Sequence, residues 1–257
     1  MFTVRITGFS IVLMMVAANA HAAVNSLSDL RFNTEEYPPA NFTLDGKLQG
    51  FAVDILLSAS QMMGQEVKME QIHVGPWARS YRATLTQKDA VLFSTTRTEH
   101  RENLFNWVGP ISDIKVVVLA RKDANIKIND PMEMANYTIG VIRDDIGEQS
   151  LLAMGIPRDA MQEASYVTTL AEQLMKKRID LLAYDEKAAY WWAKQVGVES
   201  SLFEAVYTLR EGEVYYAFNK HIPQPLLDEL QQALDEMKTT MTEEGVSLYD
   251  SIIFKYR

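Results

Sequence analysis

From Leu30 onward the chain alternates short apolar runs with segments whose apolar residues recur at helical spacing, and this alternation most limits the fold. "LRFNT" (30–34) reads as a strand, and "VDILLSASQMMG" (53–64) as a helix that Gly64 stops. "VKMEQI" (67–72) alternates like a strand, "WARSYRATL" (77–85) is a short helix, and "AVLFS" (90–94) is a buried strand. This β-α-β-α-β order predicts a mostly parallel sheet covered by helices.

"IKVVVLARK" (114–122) is the longest apolar strand, expected near a crossing between two halves. A second α/β unit follows it. "YTIGVI" is a strand, "GEQSLLAMG" a helix, and Thr169 with Glu172 reads as a capping box opening the next helix. "IDLLAY" is a buried strand leading into the helix "DEKAAYWWAKQVG", and "EVYYAFNK" (213–220) is a strand again. A helix from Gln224 to Met241 carries Leu227, Leu230, Leu234 and Met237 as an apolar stripe, and "SLYDSIIFKY" closes the chain. No repeat, low-complexity tract or Pro/Gly/Ser linker separates the units, so strands must join them. Two open α/β sheets facing each other make a cleft beyond their strand ends.

The N-terminus predicts export. Arg5, the apolar run "GFSIVLMMVAA" and the small-x-small pattern Ala20, His21, Ala22 occur in the order a signal peptidase reads. Residues 1–22 are therefore expected to be removed, leaving a periplasmic protein with no stable membrane anchor. The sequence contains no Cys, which excludes disulfides, thiolate metal sites and lipidation at the cleavage point. Loss of Arg5, the one charged side chain in residues 1–22, takes the formal charge from −9 to −10. Such an acidic surface argues against nucleic acid as a partner. The remaining His73, His100 and His221 fit no metal spacing, and no cofactor motif is present.

Four segments in order carry a family resemblance. "LRFNTEEYPPANFTLDGKLQGFAVDIL", "STTRTEHRENLFNWVGP", "YTIGVIRDDIGEQ" and "RIDLLAYDEKAA" resemble the bacterial extracellular solute-binding proteins of family 3, the amino-acid-type periplasmic binding proteins. The likeness covers nearly all of the chain beyond the signal peptide. It implies a periplasmic binding protein-like type II fold, with two α/β lobes joined by two hinge strands: residues 23–113 and 214–257 form lobe I, residues 114–213 lobe II. It also implies a monomer that closes on a small polar metabolite, an amino acid or related amine, and delivers it to the membrane permease of an ABC transporter. The alternatives are an enzyme on the same fold, of the cyclohexadienyl dehydratase type, and a sensory ligand-binding protein.

The resemblance assigns site residues one by one. Arg101 matches the arginine that grips a ligand carboxylate, for which a planar guanidinium suits; otherwise it pairs with Glu99 or Glu102 on the surface. Ser94 and Thr96, two apart on an extended stretch, match positions that offer hydroxyls to the ligand, or else bond locally. Trp77 stands where an aromatic stacks on the ligand, or is a core residue at a helix start. Glu36 or Glu35 is placed to take the ligand ammonium, with Tyr37 beside it. Asp185 matches the aspartate that pairs with the α-ammonium and also suits a helix cap. Asp144 and Asp145 depart from the family, which often has glycine and threonines at this helix start; two acids there discourage an anion, which puts a standard amino acid in doubt and leaves room for a ligand with an extra positive group. Trp191 and Trp192, about 100° apart on their helix, are read as one core residue and no site.

Overall fold

A computed structural model describes residues 24–195 and 197–256, so the predicted signal peptide lies outside the described residues. In chain order the elements are β1 (Arg31–Thr34), β2 (Phe42–Leu44), β3 (Lys47–Gln49), α1 (Phe51–Met62), β4 (Ile72–Val74), α2 (Trp77–Thr86), β5 (Ala90–Thr96), α3 (Glu99–Glu102) and β6 (Phe105–Arg121). Then come β7 (Ile139–Ile142), α4 (Ile146–Ala153), β8 (Met161–Ala164), α5 (Val167–Met175), β9 (Leu181–Asp185), α6 (Glu186–Gln195), β10 (Phe203–Asn219), α7 (Gln224–Thr239) and α8 (Leu248–Phe254). Eight strands form one mixed sheet in the order β4-β1-β5-β10-β6-β9-β7-β8. The expected parallel pairing holds within each half: β1 lies parallel to β4 and β5, and β7 parallel to β8 and β9.

The centre of the sheet differs, because β6 and β10 run antiparallel for 17 residues each. At roughly 3.3 Å per residue each spans about 55 Å, enough to serve both halves. β5 pairs with β10 only from Val214 onward, and β9 pairs with β6 only from Val116 onward. Between these points the sheet narrows to β6 and β10, where Asp113 faces Glu213 and Ile114 faces Gly212. Register shifts interrupt the ladder at Ala205/Tyr207, Thr208/Arg210 and Val214/Tyr216, which bend and twist a strand locally. The molecule is therefore two α/β lobes sharing two long strands.

Lobe I buries its sheet under α1 and α7. Phe32, Phe93 and Tyr216 pack edge to face, and the Tyr216 hydroxyl donates to the Ala52 carbonyl of α1 at 2.5 Å. All four residues of the expected α7 stripe, Leu227, Leu230, Leu234 and Met237, are buried there, although the helix ends at Thr239. Three local expectations need correction. "VKMEQI" is mostly a 3-10 turn at Met69–Gln71, with only Ile72 entering β4; the Gln71 side chain donates to the Leu27 and Leu30 carbonyls instead of continuing a strand. Helix α5 begins at Val167, so Thr169 lies inside it and forms no capping box. Trp191 and Trp192 are both half-buried, Trp191 against Phe42 at 5.0 Å.

The packing of α7 against the lobe I sheet generates a stability test. Leu230→Ala should destabilise the protein by about 2–5 kcal/mol in urea unfolding, because a fully buried leucine leaves a cavity. Met132→Ala, at an exposed position, should change it by no more than about 0.5 kcal/mol. Equal costs would contradict this assignment of the core.

Candidate functional site

The two lobes meet where β5 and the 35–41 loop of lobe I face the β7–α4 turn and the end of β9. A short hydrogen-bond chain fixes the lobe I wall. Ser94, held at a left-handed φ of 45°, donates through Oγ to Asn41 Oδ1 at 2.6 Å, and Asn41 Nδ2 donates to the Glu35 carbonyl at 2.7 Å. Glu35 is thereby set at the cleft. Ser94 and Thr96 do face one cavity, but the backbone at Ser94 is bent rather than extended.

The lobe II wall is the turn before α4. Asp144 adopts φ 60°, a conformation that costs a non-glycine residue free energy and persists only where neighbours hold it. Here they do. Its N–H donates to the buried Glu148 carboxylate at 2.7 Å, and Arg158 braces that carboxylate at 2.6 Å. Its carbonyl accepts from Gln149 Nε2 at 3.0 Å and, across the cleft, from Trp77 Nε1 at 2.9 Å and Arg101 NH2 at 3.3 Å. Gly147 brings α4 onto β9: a Cβ there would lie 2.8 Å from the Ala183 carbonyl oxygen, so the close approach requires glycine.

The cavity between these walls is bounded by Glu35, Tyr37, Trp77, Ser94, Thr96, Ile114, Asp145, Ile146, Tyr184 and Asp185. It measures about 10 Å³, room for on the order of one water. A neighbouring cavity of about 60 Å³ shares Glu35 and Tyr184 and is also bounded by Glu36 and Trp192. The aromatic Tyr37 and Tyr184 meet edge to face at 6.2 Å.

Three acids converge here. Burial, reinforced by Asp145, pushes the Glu35 carboxyl well above the ordinary carboxylate range. Burial likewise raises Asp145, opposed by the charge of Arg101 and by the Ile146 and Gly147 amides. Asp185 is pushed up to about 6 by burial, partly offset by bonds from the Ala188 N–H at 2.8 Å and the Lys115 N–H at 3.4 Å. Asp185 thus caps α6 while facing the cleft. Burial, and next to it the charge of Asp185, raise the Tyr37 hydroxyl well above its ordinary range.

Arg101 is a cation whose charge acts on Glu35 and Asp145, and its placement differs from a surface pair. It is 0 % exposed, with NH1 donating to the Thr96 carbonyl and NH2 to the Asp144 carbonyl, both at 3.3 Å. The guanidinium lies 5.3 Å from the Trp77 ring and 5.2 Å from the Tyr81 ring, and Nε has no partner. Burial lowers its pKa, Asp145 raises it, and the nearby cation Arg210 lowers it further.

Of the expected site residues, Tyr37, Trp77, Ser94, Thr96 and Asp185 border the central cavity together. Trp77 is engaged twice over, stacked on Tyr81 at 5.7 Å and bonded to Asp144. Glu36 is turned aside: its Oε2 accepts the Thr43 N–H at 2.7 Å, anchoring the β2–β3 hairpin, so Glu35 is the acid of this pair at the central cavity. Arg97 forms an exposed bidentate pair with Glu102. Asp145, Tyr184 and Trp192 join the site without having been singled out for it, although Asp145 had already marked this turn as unusual.

Comparison with known proteins bears on this geometry. A probable histidine-binding protein of Campylobacter jejuni is 22% identical over 260 residues, covering 99% of this chain and 96% of the relative. An ancestral arginine-binding protein solved with arginine superposes with a TM-score of 0.73 at 24% identity, covering 88% of this chain and 97% of that one. An arginine-, lysine-, histidine-binding protein from Geobacillus stearothermophilus gives 0.74 at 15% identity, covering 88% and 94%. The family described as bacterial extracellular solute-binding proteins, family 3, matches residues 30–246, and this chain belongs to it.

Proposed function

We propose that this protein is a periplasmic receptor that captures a small organic cation, an amino acid or related amine, and presents it to an ABC-type permease. The carrying observation is the convergence of Glu35, Asp145 and Asp185 on one interlobe cavity walled by Tyr37, Trp77 and Tyr184. Carboxylates whose charged form is disfavoured by burial gain most from a ligand that supplies positive charge. Aromatic faces add cation–π attraction in a site shielded from water. The names of the relatives above, all binders of basic amino acids, point the same way.

Capture follows from the fold. In this reading residues 23–113 with 214–257 and residues 114–213 move as two bodies about the narrow β6–β10 crossing. The closed cavity is far too small to admit a whole amino acid, so ligand enters as the walls part. Closure then surrounds the cation with acids and excludes water, which strengthens each charged contact. Export through residues 1–22 and delivery to a permease complete the role. In this reading the three acids hold the ligand's positive charge and the site acts by binding.

Two outcomes test the proposal. In a thermal-shift screen at pH 7.5, arginine, lysine, histidine and simple amines should raise the melting temperature, whereas glutamate and leucine should not. At 100 times its Kd a true ligand stabilises by about 2.7 kcal/mol. A response confined to acidic or neutral solutes would contradict a cation site.

The second outcome concerns pH. Asp185 holds its proton up to about pH 6 in the free protein, and a bound cation lowers that value. Binding must then expel this proton below about pH 6, so affinity should rise with pH through that range, and the raised carboxyls of Glu35 and Asp145 act in the same direction. The limiting slope is about tenfold per pH unit for one proton. Calorimetry in buffers of different ionisation heat should show proton release near pH 5.5, diminished in Asp185→Asn. Proton uptake, or unchanged release in that variant, would count against Asp185 as a ligand contact.

A further inference from the structure

The carboxylate half of the cleft is already filled by the protein itself. Arg101, the residue that resemblance assigns to a ligand carboxylate, spends NH1 on the Thr96 carbonyl of lobe I and NH2 on the Asp144 carbonyl of lobe II. Trp77 and Tyr81 lie against it, no part of its side chain is accessible, and the unpartnered Nε is closed off with the rest. The acid whose charge opposes the cost of its burial is Asp145, on the facing turn.

The facing turn leads to the same conclusion. A helix start that receives a carboxylate offers N–H groups and a positive dipole end. Here the φ of 60° at Asp144 points a carbonyl across the cleft, to be taken by Trp77 and Arg101, and its own N–H is consumed by Glu148. The next side chain, Asp145, is an acid bordering the cavity. A carboxylate brought to this place would meet a carbonyl oxygen and a carboxylate, and like charges placed together in an interface repel. The rest of the lining, with Glu35, Tyr37, Tyr184 and Asp185, offers acids and aromatic rings.

We infer that the ligand is an amine or guanidine without a carboxylate, because the Asp144 carbonyl already takes the Arg101 guanidinium and the Asp145 carboxylate borders the same cavity. This rests on the cation-receptor reading and narrows it from amino acids to their decarboxylated counterparts. Asp145 is the specificity-determining residue. Arg101 and Trp77 become a latch that joins the lobes through Asp144 and needs no ligand carboxylate to close.

Matched pairs test it directly. Calorimetry at pH 7.5 would compare agmatine with arginine, cadaverine with lysine and histamine with histidine, on protein freed of co-purified solutes by unfolding and refolding. In at least one pair the decarboxylated member should bind tighter by about tenfold or more, the fold-change that a like-charge clash readily exceeds. Amino acids binding as tightly as their partners, or tighter, would overturn the inference and leave the cation-receptor reading standing. No binding by any of the six would overturn both. Asp145→Thr removes the charge, keeps a residue able to cap α4, and should move the amine-to-amino-acid preference towards the amino acid by about tenfold. An unmoved preference in a folded variant would overturn the role given to Asp145.

Discussion

The β6–β10 ladder is the constraint on which the rest of the structure depends. Two strands of 17 residues carry the chain from one lobe to the other, and the other six strands of the main sheet extend from this pair, β5, β1 and β4 on the β10 side and β9, β7 and β8 on the β6 side. Because β5 joins only at Val214 and β9 only at Val116, the sheet is narrowest where the lobes face each other. The strand ends of both lobes therefore open onto one cleft, and the loops after β1, β5, β7 and β9 supply its walls. The same arrangement explains how acids so close together can be tolerated: each is placed by its own backbone anchor, Glu35 through Asn41, Asp145 through the α4 turn and Asp185 through α6.

Within the cleft the Asp144 carbonyl is the point where lobe I and lobe II touch most specifically. It accepts from Trp77 and Arg101 of one lobe while Gln149 and Glu148 hold its own peptide in place. A strained backbone angle is retained at a binding site because it re-aims a polar group, in this case turning an acceptor toward a buried arginine. The energetic consequence is that Arg101, costly to bury alone, is satisfied by protein groups on two of its nitrogens.

Much of this was legible in the sequence, for reasons that vary by residue. The α7 stripe and the wholly buried β5 follow from periodicity and apolar runs, and the structure buries both. The full length of β10 was not legible, since "FEAVYTLREG" mixes charged and apolar residues that half-exposed strand positions tolerate. The capping box failed because Val167 starts α5 two residues before Thr169, and apolar burial outweighs a cap. Asp144 and Asp145 stood out as a departure by residue type, yet the role of the Asp144 carbonyl belongs to a backbone atom and a left-handed φ that no side-chain motif encodes. Choosing between Glu35 and Glu36 required knowing that the β2–β3 hairpin would present the Thr43 amide to Glu36.

A structure of the protein crystallised with the tightest-binding cation tests the central claim most directly. The account predicts the ligand nitrogen within hydrogen-bond distance of Asp185 and Glu35, with the Asp144 carbonyl still taken by Trp77 and Arg101. A ligand carboxylate seated on the Arg101 guanidinium, with the Asp144 carbonyl displaced from it, would contradict the account.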